Sequence, residues 1–243
     1  MILFVRLKKT NKSHIPPSLL NEKRKSPKLC VAHESSSLHG SKNESLMFDL
    51  GYDSTLYKLN ELILTNCFPF DCGVDDLNDF FANDALTYER DLMGKTYCWL
   101  DNANDRRIVA MVTLANASIQ TTHLPSNPKR HINKAIAYNK HGRTYPAVLI
   151  GRLGVEKKYQ GAQYRVGAQI MDFIKDWFIS ADNKTGCRFI LVDAMNDCHT
   201  LSYYERNGFK PLFPHVSDER SFYEIPESEE LRTRMYYFDL LSY

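Results

Sequence analysis

The chain has 243 residues, 43% of them hydrophobic and 12% aromatic, enough for one sizeable core, and it contains no run near the ~18 apolar residues of a membrane span. Its net charge of +2 is uneven: residues 1–48 hold nine Lys/Arg against three Asp/Glu, leaving 22 against 26 of the chain's 31 and 29 for the remainder. The six cysteines, Cys30, Cys67, Cys72, Cys98, Cys187 and Cys198, form no C-x-x-C pair, which argues for reduced thiols in a cytoplasmic protein and against a zinc site or disulfide frame.

Residues 1–46, with "KKTNKSHIPPSLLNEKRKSPK", are polar and lack apolar periodicity, so they read as a disordered basic leader ahead of a folded domain at 47–243. The start, "MILFVRLKK", is too short for the apolar core of a signal peptide. From Tyr57 the pattern becomes globular. "YKLNELILT" reads as a first strand. "DDLNDFFANDALTYERDL" spaces Leu77, Phe80, Phe81, Ala85 and Tyr88 as a helix, with acidic residues at its positive end. "KTYCWLD" and "RRIVAMVTLANASI" are strands joined by the turn-rich "NANDR". A basic insertion at about 120–145 predicts one short helix, and the apolar "AVLIGRLGV" predicts a strand buried on both faces. Ile170, Phe173, Ile174, Trp177 and Phe178 form one helical stripe that reads as core. "CRFILVDA" is a further buried strand. "DCHTLSYYERNGF" is a short helix with Asp197 at its N-cap and Gly208 at its stop, in which Cys198 reads as structural. A short strand near "KPLF" and a closing strand "RTRMYYFDL" complete the pattern. The order predicts an α/β (α+β) domain: one mixed central sheet flanked by helices.

Residues 149–174, "LIGRLGVEKKYQGAQYRVGAQIMDFI", run from a strand through a polar loop into a helix N-terminus, an arrangement that suits a phosphate group. Downstream stands "N…YYERNGF", after a buried strand. The strand, the loop and this terminal motif, in that order over residues 57–240, resemble the GNAT superfamily of N-acetyltransferases. The segment "FDCGVDDLNDFF" is similar to the front of bacterial members related to aminoacyl-tRNA-acetylating toxins. The resemblance implies acetyl-CoA as co-substrate. It places the main chain of Leu153, Gly154 and Val155 along the pantetheine arm, and Gln160, Gly161, Ala162, Gln163, Val166, Gly167 and Ala168 around the pyrophosphate. Asn196 would help to seat CoA, and Tyr204 would protonate the departing thiolate.

The implied reaction is direct attack by a primary amine in a ternary complex, the amine belonging to a small molecule, a peptide or an aminoacyl-tRNA. An aminoacyl-tRNA-acetylating toxin and a non-catalytic interaction protein are the rival readings, and a homodimer is left open. The chain departs from the family in two ways. Its loop is two residues longer, with Gln163 where the middle glycine is usual. From Arg106 to Val155 there are eight Lys/Arg and no Asp or Glu, so the general base is Asp193, a histidine, a water chain or nothing. Tyr203 and Tyr204 point about 100° apart on a helix, one to the core and one to the site, and family position selects Tyr204 for the site. No cluster suggests a metal.

Overall fold

The computed structural model describes residues 53–134 and 144–243, so the expected leader at 1–46, the boundary at residue 47 and part of the basic insertion lie outside the described residues. Seven strands build one sheet: β1 (Ser54–Lys58), β2 (Lys95–Asp101), β3 (Asn104–Gln120), β4 (Thr144–Val155), β5 (Phe189–Met195), β6 (Lys210–Pro211) and β7 (Thr233–Asp239). Their order is β1-β2-β3-β4-β5-β7-β6. Every pairing is antiparallel except β4 with β5, which run parallel. The helices are α1 (Glu61–Asn66), α2 (Asp75–Asp79), α3 (Ala85–Arg90), α4 (Ser126–Lys134), α5 (Val166–Ile179), α6 (Cys198–Arg206) and α7 (Val216–Phe222). The expected mixed α/β sheet flanked by helices is the observed fold.

The sheet is covered on both faces. On one face, Ile170, Phe173 and Ile174 of α5 and Tyr204 of α6 pack on Trp99, Val148, Ile150, Ile190 and Val192. On the other, Phe80, Phe81, Ala85 and Ile63 pack on Cys98, Ile108 and Met111. Further along that second face, α4 is tied to β4 by the Tyr145 hydroxyl, which donates to Asn133 at 2.9 Å. It is the short helix expected in the basic insertion.

Three readings are corrected. "ELILT" continues no strand: the Asn60 side chain accepts from the Ile63 amide at 3.0 Å, and this cap, with Glu61 in the first turn, starts α1 instead. The helix expected over 75–90 contains a wider π-turn at Phe80–Asp84, which turns the adjacent Phe80 and Phe81 both into the core. Cys198 is exposed at the start of α6 and so has no packing role. The five described cysteines are all free thiols. Among the described residues no helix is long and apolar enough to cross a membrane, and no group of three or more His, Cys, Asp or Glu could hold a metal ion.

The sequence pattern does not predict helix α7, because "VSDERSF" has no apolar stripe. A buried charge pair fixes it. Arg234 donates to Glu219 at 2.5 Å and to the Phe213 carbonyl at 2.8 Å, while the other Glu219 oxygen accepts from the Met235 amide at 2.7 Å. Glu219 and Arg234 are 1% and 7% exposed, so removal of one leaves the other charge buried. Glu219→Leu should therefore destabilise the domain by about 3–5 kcal/mol in urea melts.

Candidate active site

β4 and β5 pair over four residues only, Ala147–Ile150 against Phe189–Val192. Beyond that point β4 continues on β3 to Val155, and β5 continues on β7 to Met195. The two strands therefore part and leave a cleft in the middle of the sheet. The register shift opposite Thr113 and Leu114 places Gly151 as an extra residue in β4 at the parting. After it, Leu153 and Val155 pack toward α5, whereas on the opposite face Arg152 meets Phe80 and Gly154 meets Phe70 and Cys72. The Arg152 guanidinium lies 5.1 Å over the Phe80 ring and donates to the Gly151 carbonyl at 2.7 Å. The Glu156 amide donates to the Val109 carbonyl at 2.9 Å. Counting back from that bond by the alternation of an antiparallel ladder, the main-chain groups of Leu153 and Val155 point away from β3, into the cleft.

The loop after β4 ends in an open helix N-terminus. The amides of Tyr164 and Arg165 donate to the Gly161 carbonyl at 3.4 and 3.2 Å, closing a turn that absorbs the two extra residues. Gly161 sits at φ 108°, where only glycine is unstrained. The second left-handed residue of this turn is Arg165, φ 52°, rather than Gln163. Arg165 caps α5 without a side-chain hydrogen bond, and the first turn carries no acidic residue. The first donor of the helical ladder is the Gln169 amide, to Arg165 at 3.1 Å. The amides of Val166, Gly167 and Ala168 precede it and face outward with the helix dipole behind them, which fits an anion. Gly161, Ala162 and Gln163 are exposed beside them.

Several of the residues expected at the site have partners within the protein. The Gln160 side chain donates to the carbonyls of Val155 at 2.8 Å and Cys72 at 2.9 Å. The Asn196 side chain donates to the Leu231 carbonyl at 2.8 Å. A Cβ on Gly167 would stand 3.0 Å from the Tyr203 ring, so the bareness of this position makes room for Tyr203. The Tyr203 hydroxyl donates to the Gly167 carbonyl at 2.7 Å. Tyr204 is 7% exposed and packs on Tyr203 and Phe209. Its hydroxyl makes no hydrogen bond among the described residues, and burial holds the phenol well above its ordinary pKa.

Sequence reasoning missed a clamp between the front loop and the end of β4. The Asp71 amide donates to Glu156 at 2.8 Å, and the Lys157 amide donates back to the Asp71 carbonyl at 2.9 Å. The Asp71 carboxylate accepts from Lys157 Nζ at 2.7 Å, from the Gly73 amide at 2.8 Å and from Asn78 at 2.9 Å. The Lys157 hydrogen bond, first among these, lowers its pKa to about 2. Phe70 and Cys72 are thereby held against Gly154, as a wall of the cleft. The only sequence signal was the tight "FDCG", which reads as a turn.

No known family model matches the sequence. Among solved structures, the chain is similar to AtaT complexed with acetyl-methionyl-tRNAfMet, with 21% identity, 78% of this chain and 96% of that chain covered, and a TM-score of 0.54. It is similar to a point mutant of KacT with 20% identity, the same coverages and a TM-score of 0.54. For AtaTR bound with AcCoA the values are 24% identity, 78% and 95% coverage, and a TM-score of 0.51. These likenesses establish the fold, which is the GNAT fold.

The strained turn gives a direct check on this account of the longer loop. A left-handed non-glycine residue costs about 1–2 kcal/mol, partly offset by the greater entropy of an unfolded glycine. Arg165→Gly should raise stability by up to about 1 kcal/mol in thermal melts, whereas Gly161→Ala should lower it.

Proposed function

We propose that this protein is an acetyl-CoA-dependent N-acetyltransferase and that its acceptor is the α-amine of an aminoacyl-tRNA. The observation that carries the reading is the parting of β4 from β5, with the open N-terminus of α5 at the end of the loop that follows β4. The amides of Val166, Gly167 and Ala168 suit the pyrophosphate of CoA. The cleft-facing main chain of Leu153 and Val155 suits the amide-bearing pantetheine arm, with the Val155 N–H available to polarise a thioester carbonyl. Acetyl-CoA supplies the activated acyl group. Gln160 holds the Val155 carbonyl and so fixes the strand end that does the polarising. Tyr204, kept protonated by burial, gives its proton to the thiolate.

The choice of acceptor rests on charge and on the similar structures. AtaT is described in complex with acetyl-methionyl-tRNAfMet, and AtaTR with AcCoA. On this chain, Arg106 and Arg107 lie 5.0 and 5.3 Å over the Phe68 ring, Arg152 stands at the cleft, and α4 carries Lys129 and Arg130. Cations of this kind suit a phosphate backbone. An α-amine, at pKa ~7.7–8.0 against ~10.4 for lysine, also loses its proton with less help, in keeping with the lack of a carboxylate on β4.

The test is an acceptor panel with radiolabelled acetyl-CoA: aminoacyl-tRNA, polyamines and peptides. Label is expected on the aminoacyl-tRNA, and label on polyamines or peptides alone would replace this acceptor with a simpler amine. Tyr204→Phe should lower kcat by about 10²–10⁴-fold with little change in acetyl-CoA affinity. Tyr203→Phe should leave kcat near wild type and cost about 1 kcal/mol of stability through its lost bond to Gly167. Gln163→Glu puts a negative charge beside the free amides. Calorimetry should show weaker acetyl-CoA binding, while the melting temperature holds or rises, since the helix dipole favours that charge.

A further inference from the structure

We propose that Arg106, Phe68 and Arg107 form a phosphate site on the rim of the cleft, which holds the RNA backbone of the acceptor and takes no part in the transfer itself; the inference rests on the aminoacyl-tRNA reading above.

Consecutive residues of a strand point to opposite faces, so two neighbouring arginines do not ordinarily reach one ring. Here the register brings them together. β3 slips on β2 at this point: Leu100 pairs with Ile108 and Asp101 with Asn104, which leaves Arg106 and Arg107 with no opposite numbers on β2. A bulge of this kind re-aims side chains. The Arg106 guanidinium stands 5.0 Å from the centre of the Phe68 ring, and that of Arg107 stands 5.3 Å from it. The ring is itself fixed in place. The Phe68 amide donates to the Arg106 carbonyl at 2.7 Å, and Arg106 Nε donates to the carbonyl of Asn66, the last residue of α1, at 3.0 Å.

Two like charges held on one ring repel each other, and no acid of the protein offsets them. Among the described residues neither arginine has a carboxylate partner, and the buried Arg107 Nε has no hydrogen-bond partner. By contrast, Arg188 is held by Asp239 and Arg234 by Glu219. What Arg106 and Arg107 lack is an anion with several oxygens. A guanidinium is a planar fork that fits a phosphate group, and its stacking on the ring holds the fork ready. A nucleic-acid backbone offers one such anion at every nucleotide.

The position selects RNA as the source of that phosphate. Phe68 lies two residues before Phe70, whose ring stands against Gly154 as a wall of the cleft. At most ~7 Å of main chain separates the arginines' ring from that wall. An acceptor that places its amine in the cleft thus brings its neighbouring phosphates to Arg106 and Arg107. The carboxylate between them, Asp71, is already met by Lys157. The site touches no reacting atom, so it acts on acceptor binding and leaves the chemical step alone.

The experiment measures binding of uncharged tRNA between about 50 and 200 mM salt. It also measures kcat and KM for aminoacyl-tRNA, acetyl-CoA affinity and melting temperature. Each phosphate contact contributes about 0.7–0.9 to the slope of log affinity against log salt. The double variant Arg106→Gln/Arg107→Gln should therefore lose about 1.5 of that slope, and its deficit in affinity should be about eightfold larger at the low salt than at the high. KM for aminoacyl-tRNA should rise in step, with kcat, acetyl-CoA affinity and melting temperature near wild type. Arg106→Lys/Arg107→Lys should keep the slope but bind more weakly, because a point charge replaces a planar fork. A glutamine pair with wild-type affinity and slope, or with a deficit equal at every salt, overturns the phosphate site. Should the glutamine pair lower the melting temperature, the lysine pair decides: weaker tRNA binding by a stable protein supports the site, and unchanged binding overturns it. Wild-type protein that binds tRNA through these arginines yet acetylates only polyamines or peptides overturns the acceptor reading, while the phosphate site stands.

Discussion

The parting of two parallel strands is the constraint on which the rest of this structure depends. β4 and β5 hold each other for four residues and then separate, each continuing on its outer neighbour. Backbone groups in the middle of a sheet are normally paired, because burial of an unpaired one costs about 1–3 kcal/mol. Here the extra residue Gly151 ends the ladder, and the main chain of Leu153 and Val155 is left facing a cleft. A ligand with its own amides can complete that ladder as a sheet neighbour would.

Such a strand end needs support, and the structure supplies it from both sides. The front loop is bound to Glu156 and Lys157 through Asp71, while Gln160 joins the carbonyls of Cys72 and Val155. The segment that leads into α5 and the segment that walls the cleft thus form one hydrogen-bonded unit. Its surface ion pair alone would contribute little, since exposed pairs are typically worth under about 1 kcal/mol. The main-chain bonds around it give the unit its geometry. On the other arm, the buried Glu219–Arg234 pair ties α7 to β7, the strand that pairs with β5.

Arg165 shows how a longer loop can keep the same end point. Two added residues are closed into a turn between Gly161 and Arg165, at the cost of one left-handed arginine. Loop length is entropically cheap, so the amides of α5 still arrive beside the cleft. The position of Tyr203 follows from the same helix. Its hydroxyl is used by the Gly167 carbonyl, and its neighbour Tyr204 keeps a hydroxyl free of such a bond.

The sequence by itself determined what depends on local pattern. The stripe from Ile170 to Phe178 announced α5, Asp197 announced the start of α6, and the apolar "AVLIGRLGV" announced a central strand, because burial periodicity and capping are written within a few consecutive residues. Only the tertiary structure decided that "ELILT" is a capped helix, that "VSDERSF" is helical, and that Gln160 and Asn196 spend their amides on carbonyls of distant segments. It alone brought Arg106 and Arg107 to one ring. Such facts depend on which strands neighbour one another and on where a register shifts. Those are properties of contacts between segments far apart in the chain, and no stretch of residues carries them on its own.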